Sequence, residues 1–420
     1  MHLTDSLPSR LFSEFSPFLP HLKPVDWCSP VAIAVSGGGD SMALLASVLQ
    51  LRPRDALTAP LHVLTVDHGL RSGSASEAAF VADFCNSHDV HHHAVLTWSG
   101  AKPSSAVAER ARMKRRDLLL EACRARGVRQ LLLGHTLDDV AETLLMRVRR
   151  GGLRGHAGIA PETHYPGLRV LRPFLSLRRD HLRIALRRSG IRWIDDPTNE
   201  NVQFERPRAR QKLQDMDLGD FKTERVAAYA SLMGRWRAVM ARHIATVIDA
   251  SCTRIGADVQ VRADLLGPVP YIIAVETVRE LVRFVGGDAY MVDFPQAKEA
   301  VRRLTAEDGG GKTFSSGRCV LSAGSGDIWT ISRALRDLPV TPIEAGQSVL
   351  WDGRFIVQLA MEASGQGEIR PAIGGSVQGS PVVLPEALPH EIAFRPRVLD
   401  GPVASFDQPI FESLEALLAR

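Results

Sequence analysis

Two clusters of side chains in this sequence have the types and the spacing that chemistry requires. The first is Ser36-Gly37-Gly38-Gly39-Asp40-Ser41, set between the apolar run VAIAV and the helix-spaced residues Met42, Leu44, Leu45, Val48 and Leu49. Glycines let a backbone close on an anion, and a helix that starts there adds the positive end of its dipole. Ser36 and Ser41 supply hydroxyl donors, and Asp40 is a candidate to hold the magnesium that accompanies a polyphosphate. Two familiar phosphate loops are excluded by spacing. Asp40 stands where the Walker pattern needs lysine, and Met42 where the dinucleotide fingerprint needs its last glycine.

The second cluster lies in LLLGHTLDDVAETLLMRVRRGGLRG. A strand ends at Gly134-His135, Asp138 and Asp139 open a helix, and Glu142 follows Asp139 at i+3 on the same face. Acids at a helix start act as caps. They can equally bind magnesium, hold a cationic amine or take a proton from it, and the spacing leaves these roles open. The helix runs into Arg147, Arg149 and Arg150 and a glycine-rich loop holding Arg154. Upstream, Arg112 and Arg115 lie three apart on one helix face, suited to neutralise phosphates as charge builds on a leaving group. Asp67, His68 and Arg71 follow the strand LHVLTVD, where the backbone could flank an adenine ring.

These groups need a scaffold that gathers strand ends, and the pattern supplies one. Residues 1–216 alternate short apolar strands with helices, which predicts a Rossmann-like, doubly wound parallel sheet carrying the loop. Residues 217–305 read as a mainly helical domain, and 306–420 as a small α+β region with strands in GKTFSSGRCVLSAGSGDIWTISRA and one more in VLWDGRFIVQLA. Between Lys102 and Met216 there are 25 Lys and Arg against 13 Asp and Glu, an excess of +12 in a chain whose net charge is +4. A field made almost wholly of arginine favours a polyanion larger than ATP.

In this order, SGGGDS, VDHGLR, the A-R-x-x-R of Ala111 to Arg115, GHTLDDVAETLLMRVRRG and IDDPTNENVQFERPRAR resemble the tRNA(Ile)-lysidine synthetase family, over roughly residues 30 to 212. The loop by itself is similar to those of enzymes that split ATP between its α and β phosphates. The resemblance implies a ligase that adenylates C2 of the wobble cytidine in an isoleucine tRNA with a CAU anticodon, and then lets free L-lysine displace AMP. It implies ATP and Mg2+ as cofactors and admits a homodimer. It assigns ATP binding to Ser36, Gly37, Gly38, Gly39, Asp40, Ser41, Asp67, His68, Arg112, Arg115 and His135, with Asp40 at the metal. Catalysis falls to Asp40, Arg112, Asp139 and Glu142. Substrate binding falls to Asp138, Asp139, Glu142, Arg147, Arg150, Asp196, Asn199, Arg206 and Arg210, and tRNA binding to the two later regions.

Three positions depart from the family's pattern: Arg116 replaces a tyrosine, Pro207 replaces the Asn of R-N-x-x-R, and the loop after Arg150 is one residue short. The five cysteines are scattered with no C-x-x-C, which argues against the paired thiols of tRNA-thiolating relatives. An ATP-sensing RNA binder would have no use for Asp40, Asp139 and Glu142. No stretch approaches 18 apolar residues and no basic leader precedes an apolar core, so a cytoplasmic setting without a membrane is expected. GGGKT at 309–313 lacks the first Walker glycine, and His91 to His93 alternate along a strand edge, so neither reads as a site.

Overall fold

Four-residue VAIA, entirely buried, is the strand on which the first half of the molecule is built. The computed structural model describes residues 12–51, 59–70, 73–100, 102, 107–148, 153–195, 205–217, 219, 222–288, 290–306, 313–363, 366–372, 380–384, 390–396, 399 and 401–419. The chain divides into two compact units, Met1–Arg237 and Ala238–Arg420.

In the first unit the elements follow in the order β1 (Val31–Ala34), α1 (Gly39–Leu49), β2 (Leu61–Asp67), α2 (Ser74–Ser87), β3 (His92–Thr97), α3 (Val107–Ala125), β4 (Gln130–Leu133) and α4 (Leu137–Val148). β5 (Glu162–Tyr165), β6 (Leu168–Leu171), α5 (Arg179–Arg188) and α6 (Glu205–Asp215) complete it. Spatially the strands run β5-β6-β4-β1-β2-β3. β1 pairs in parallel with β2 and β4, β2 with β3, and β4 with β6, while β5 joins β6 antiparallel. This is the doubly wound sheet the strand-helix alternation predicts.

The order explains where a site must lie. From β1 the chain winds outward through β2 and β3, then returns to the other side of β1 as β4. The crevice at the carboxyl ends of β1 and β4 is therefore the topological switch point, where open α/β sheets bind ligands. Both chemical clusters of the sequence start there. Behind them α1 is buried nearly all round, its Met42, Leu44, Leu45 and Val48 at 0 % exposure, packed on α5 and on the N-terminal 3-10 turn of Phe15, Phe18 and Leu22. A loop anchored by a fully buried helix is held rigidly.

The second unit adds β7 (Cys252–Ile255) and β8 (Asp258–Arg262), α8 (Tyr271–Gly286), α9 (Phe294–Leu304) and β9 to β11 (Thr313–Ser316, Cys319–Ala323, Ile328–Arg333). A long helix, α7 (Lys222–Ser251), contains the division between the units. The β7-β8 hairpin interrupts a stretch the sequence reads as helical. Its alternating Val259 and Val261 are fully buried in the order β7-β8-β11-β10-β9. The stretch read as one strand in VLWDGRFIVQLA is a hairpin, β12 being Thr341–Glu344, β13 Ser348–Trp351 and β14 Phe355–Leu359. Asp352 and Gly353 turn it with φ of 52° and 71°, the left-handed pair of a tight hairpin. All five cysteines are free, four of them buried. Among the described residues no helix is long and apolar enough to cross a membrane.

Candidate active site

The loop after β1 is shaped from within and from above. Ser41 Oγ donates to the Gly38 carbonyl at 2.9 Å and accepts from the Ser36 amide at 3.2 Å, closing the turn on itself. Gly37 has φ +82°, and a β-carbon there would meet Ile194 Cδ1 at 2.8 Å. The Ile194 amide donates to the Gly37 carbonyl at 2.9 Å, and the Trp193 indole lies over Gly39, so residues 193–194 lie against the loop. The loop after β4 presses against the same turn at Gly134 and Asp40, and the helix that follows carries Asp139 into the neighbourhood of Asp40.

Three carboxylates thereby converge. Asp139 Oδ2 accepts from the Thr136 amide at 2.8 Å and its hydroxyl at 3.0 Å. Glu142, one turn on, is 2 % exposed and accepts from Arg210 Nε of α6 at 2.9 Å. Arg206, one turn before Arg210, stands 3.9 Å from Asp139. Pro207 between them sits in the first turn of α6, where its missing N–H costs nothing. Buried acids without cations would take up protons. Arg179, at the start of α5, supplies the charge: its guanidinium donates to Asp40 Oδ2 at 2.9 Å, Asp139 Oδ1 at 3.2 Å and Glu142 Oε1 at 3.4 Å.

Burial pushes the Asp40 carboxyl up, and Arg179 only partly opposes it. Burial acts on Asp139 too, but Arg179, Arg206 and the Thr136 amide outweigh it and hold that acid below its ordinary value. Burial lowers the Arg179 pKa, and the three acids together more than reverse this. His135 is driven down to about 3 by burial, so it is a neutral imidazole at physiological pH. Burial, and then the charge of Arg206, lower the Arg112 and Arg115 guanidiniums, which remain charged. Arg112, Arg115 and Arg206 thus share one electrostatic neighbourhood with Asp139.

Other candidates are occupied differently. Asp138 accepts from the Arg179 backbone amide at 2.8 Å and pairs with Arg178 at 3.4 Å, bracing α5. Asp67 accepts from the Gly69 amide at 2.9 Å and Ser74 Oγ at 2.6 Å, which fixes the turn after β2 and, led by the Ser74 bond, lowers its pKa. His68 accepts from the Leu70 amide within that turn. Arg147 donates to the Gly158 carbonyl. Arg71, Arg149, Arg150, Asp196, Asn199 and the 309–312 part of GGGKT lie outside the described residues, as does the side chain of Arg154.

Arg179 and Thr136 escaped the sequence reading, as did the close approach of Gly134 to Asp40. The one signal for Arg179 was an arginine pair opening a helix after a strand, in a chain whose acid cluster lacked a named cation. Two buried oxygens of the site, Asp40 Oδ1 and Glu142 Oε2, have no hydrogen-bond partner among the described residues. Among the described residues no group of three or more His, Cys, Asp or Glu forms a metal cage. A single carboxylate with an open oxygen beside a phosphate loop fits magnesium, which binds largely through phosphates and water. A cleft of about 350 Å³ opens next to Glu142, lined by Asp138, Arg178, Arg179, Arg183 and Arg210 among others.

Comparison with known proteins places residues 18–216 in a PP-loop domain family with ATP-binding character. The chain is 35 % identical over 365 residues to a tRNA(Ile)-lysidine synthase of Mesorhizobium japonicum, covering 84 % of this chain and 75 % of that one. It is 35 % identical over 335 residues to a tRNA(Ile)-lysidine synthase of Ruegeria pomeroyi, covering 78 % and 76 %. Among solved structures it is similar to the U34-tRNA thiolase NcsA of Methanococcus maripaludis, with TM-score 0.45, 15 % identity and coverage of 53 % and 78 %.

Proposed function

The chain belongs to the tRNA(Ile)-lysidine synthase family, ligases built on a PP-loop ATPase domain, and from that premise we propose how its residues divide the reaction. The substrates are ATP, free L-lysine and the isoleucine tRNA with a CAU anticodon. The cytidine C2 oxygen attacks the α-phosphorus and pyrophosphate leaves. The lysine amine then attacks C2, and AMP departs with the former C2 oxygen.

Ser36 to Ser41 hold the departing pyrophosphate, with Arg112 and Arg115 taking up the charge that builds on it. Asp40 would hold magnesium together with the phosphates, and the ion would supply Lewis-acid stabilisation of that leaving group. The turn at Asp67 and His68, with the neutral His135, borders the nucleotide. Glu142 is the better acceptor for the lysine amine, because its Oε2 has no hydrogen-bond partner among the described residues. Asp139 has both oxygens engaged and is held ionised, which suits electrostatic anchoring more than proton transfer. Asp138 and Arg147 act from behind, and Arg206 and Arg210 keep the acid pair in place beside the tRNA. Arg150, Asp196 and Asn199 are proposed contacts of the tRNA or lysine by motif alone. Residues 217–305 and 306–420 are proposed to bind the tRNA beyond its anticodon.

The observation that carries this reading is the convergence of Asp40, Asp139 and Glu142 on Arg179 at the mouth of a phosphate loop, with Asp139, Glu142 and Arg179 drawn from the most basic part of the chain. Purified protein should be incubated with ATP, magnesium, labelled lysine and bulk tRNA, and the nucleosides analysed by mass. Lysine on cytidine, with AMP and pyrophosphate released, is the expected result. ADP as the sole nucleotide product, or label on any other nucleoside, overturns it.

A further inference from the structure

Arg179 belongs to none of the motifs that mark the reaction, yet its guanidinium touches both halves of the site. One edge meets Asp40 of the phosphate loop, and the terminal nitrogens meet Asp139 and Glu142 of α4. Its own backbone amide is fixed on Asp138, and its side chain is 16 % exposed. A planar fork sets the relative orientation of the acids it binds, which a single ammonium at that place would not do. Among the described residues it also leaves one oxygen uncommitted on Asp40 and one on Glu142. The guanidinium therefore engages all three acids without filling the hydrogen-bonding capacity of Asp40 and Glu142.

We infer that Arg179 is a positioning residue shared by the two chemical steps, holding Asp40 for the metal-bound nucleotide and Asp139 with Glu142 for the amine. The inference rests on the proposed reaction. It differs from that reading in giving one residue outside the reacting groups control over both steps, where the motifs assign each step its own acids.

The test uses the full chain with Arg179→Lys, which keeps charge and most of the packing, and Arg179→Gln, which keeps neither the charge nor the fork. A fluorescent ATP analogue is titrated with and without magnesium, with no turnover required. Without magnesium Arg179→Lys should bind as the wild type does, because the cation beside Asp40 is kept; Arg179→Gln, which loses that contact with the phosphate loop, is judged by the ratio of its affinities with and without magnesium. The tightening that magnesium gives should shrink on the order of tenfold, the size of one lost charge-assisted hydrogen bond. The KM for lysine should rise by a similar factor while the KM for tRNA holds. Equal weakening with and without magnesium assigns Arg179 to packing alone and overturns the inference, as does an unchanged lysine KM in both variants. Should Arg179→Gln fail to fold, the Arg179→Lys titration decides. A wild-type chain that binds nucleotide but makes no lysidine refutes the reaction instead, and the magnesium titration still decides the role of Arg179.

Discussion

Gly134 and Asp40 touch backbone to backbone: a β-carbon on Gly134 would stand 2.8 Å from the Asp40 carbonyl oxygen and 3.1 Å from the Ser41 α-carbon. Neither atom can swing aside as a side chain would. Gly134→Ala should therefore cost about 1–3 kcal/mol by overpacking. Because it spreads the loops after β1 and β4, it should also slow pyrophosphate release, and urea unfolding followed by a pyrophosphate assay reads both effects. Wild-type values in both would show that the two loops are not held together at this point.

Asp40→Ala should abolish pyrophosphate release and leave the fold standing. Asp40 is a buried carboxylate that burial disfavours, and Arg179 keeps Asp139 and Glu142 as partners when it is gone. The melting midpoint should move by no more than about 2–4 °C, roughly 1 kcal/mol in a unit of this size. Residual activity above a few per cent would remove Asp40 from the metal site.

Glu142→Gln and Asp139→Asn should separate. Glu142→Gln removes the free acceptor, so lysidine formation should fall on the order of 10² to 10⁴ as for a lost positioned base, while pyrophosphate is still released. Asp139→Asn turns an amide nitrogen toward Arg179 and Arg206 or toward the Thr136 donors, and it should impair both steps together. The reverse pattern, with Asp139→Asn alone blocking lysine attack, would move the amine site to Asp139.

The basic stretch from 102 to 216 predicts a steep salt dependence. If it meets tRNA, log K should fall with log salt by up to about 0.9 per phosphate contact, an upper value taken from duplexes. Filter binding of isoleucine tRNA across a salt series measures the slope. A flat response would make the arginines a solvated surface.

His135 should make the fold acid-sensitive. Its buried ring is driven down to about 3, whereas an unfolded chain protonates near the ordinary imidazole value of about 6.5. Its contribution is complete above about 6.5 and is lost as the pH falls from there toward 3, because only the unfolded chain takes the proton. The slope is at most about 1.4 kcal/mol per pH unit. Thermal melts of wild type and His135→Gln between these limits should converge as the pH drops, and parallel curves would show that the ring is not buried neutral.

What the sequence determined by itself is local. Three glycines after a β-branched run, and two acids followed at i+3 by a third, fix a phosphate turn and an acidic helix face because backbone freedom and helix period act within a few residues. The same local signals missed the Asp352-Gly353 hairpin, whose D-G pair was legible, and the Val259-Val261 alternation, which spans only five residues between helical patterns. The tertiary structure decided which charges meet. Arg179 lies 139 residues from Asp40, and no periodicity reaches that far. It arrives because β4 and then β6 fall beside β1 in the sheet, so that the chain leaving β6 starts α5 against α1 and turns its first side chain into the crevice. The acids were written into the sequence as candidates. Their roles depend on a counter-ion whose place is set by strand order and by the burial that makes three adjacent carboxylates need it.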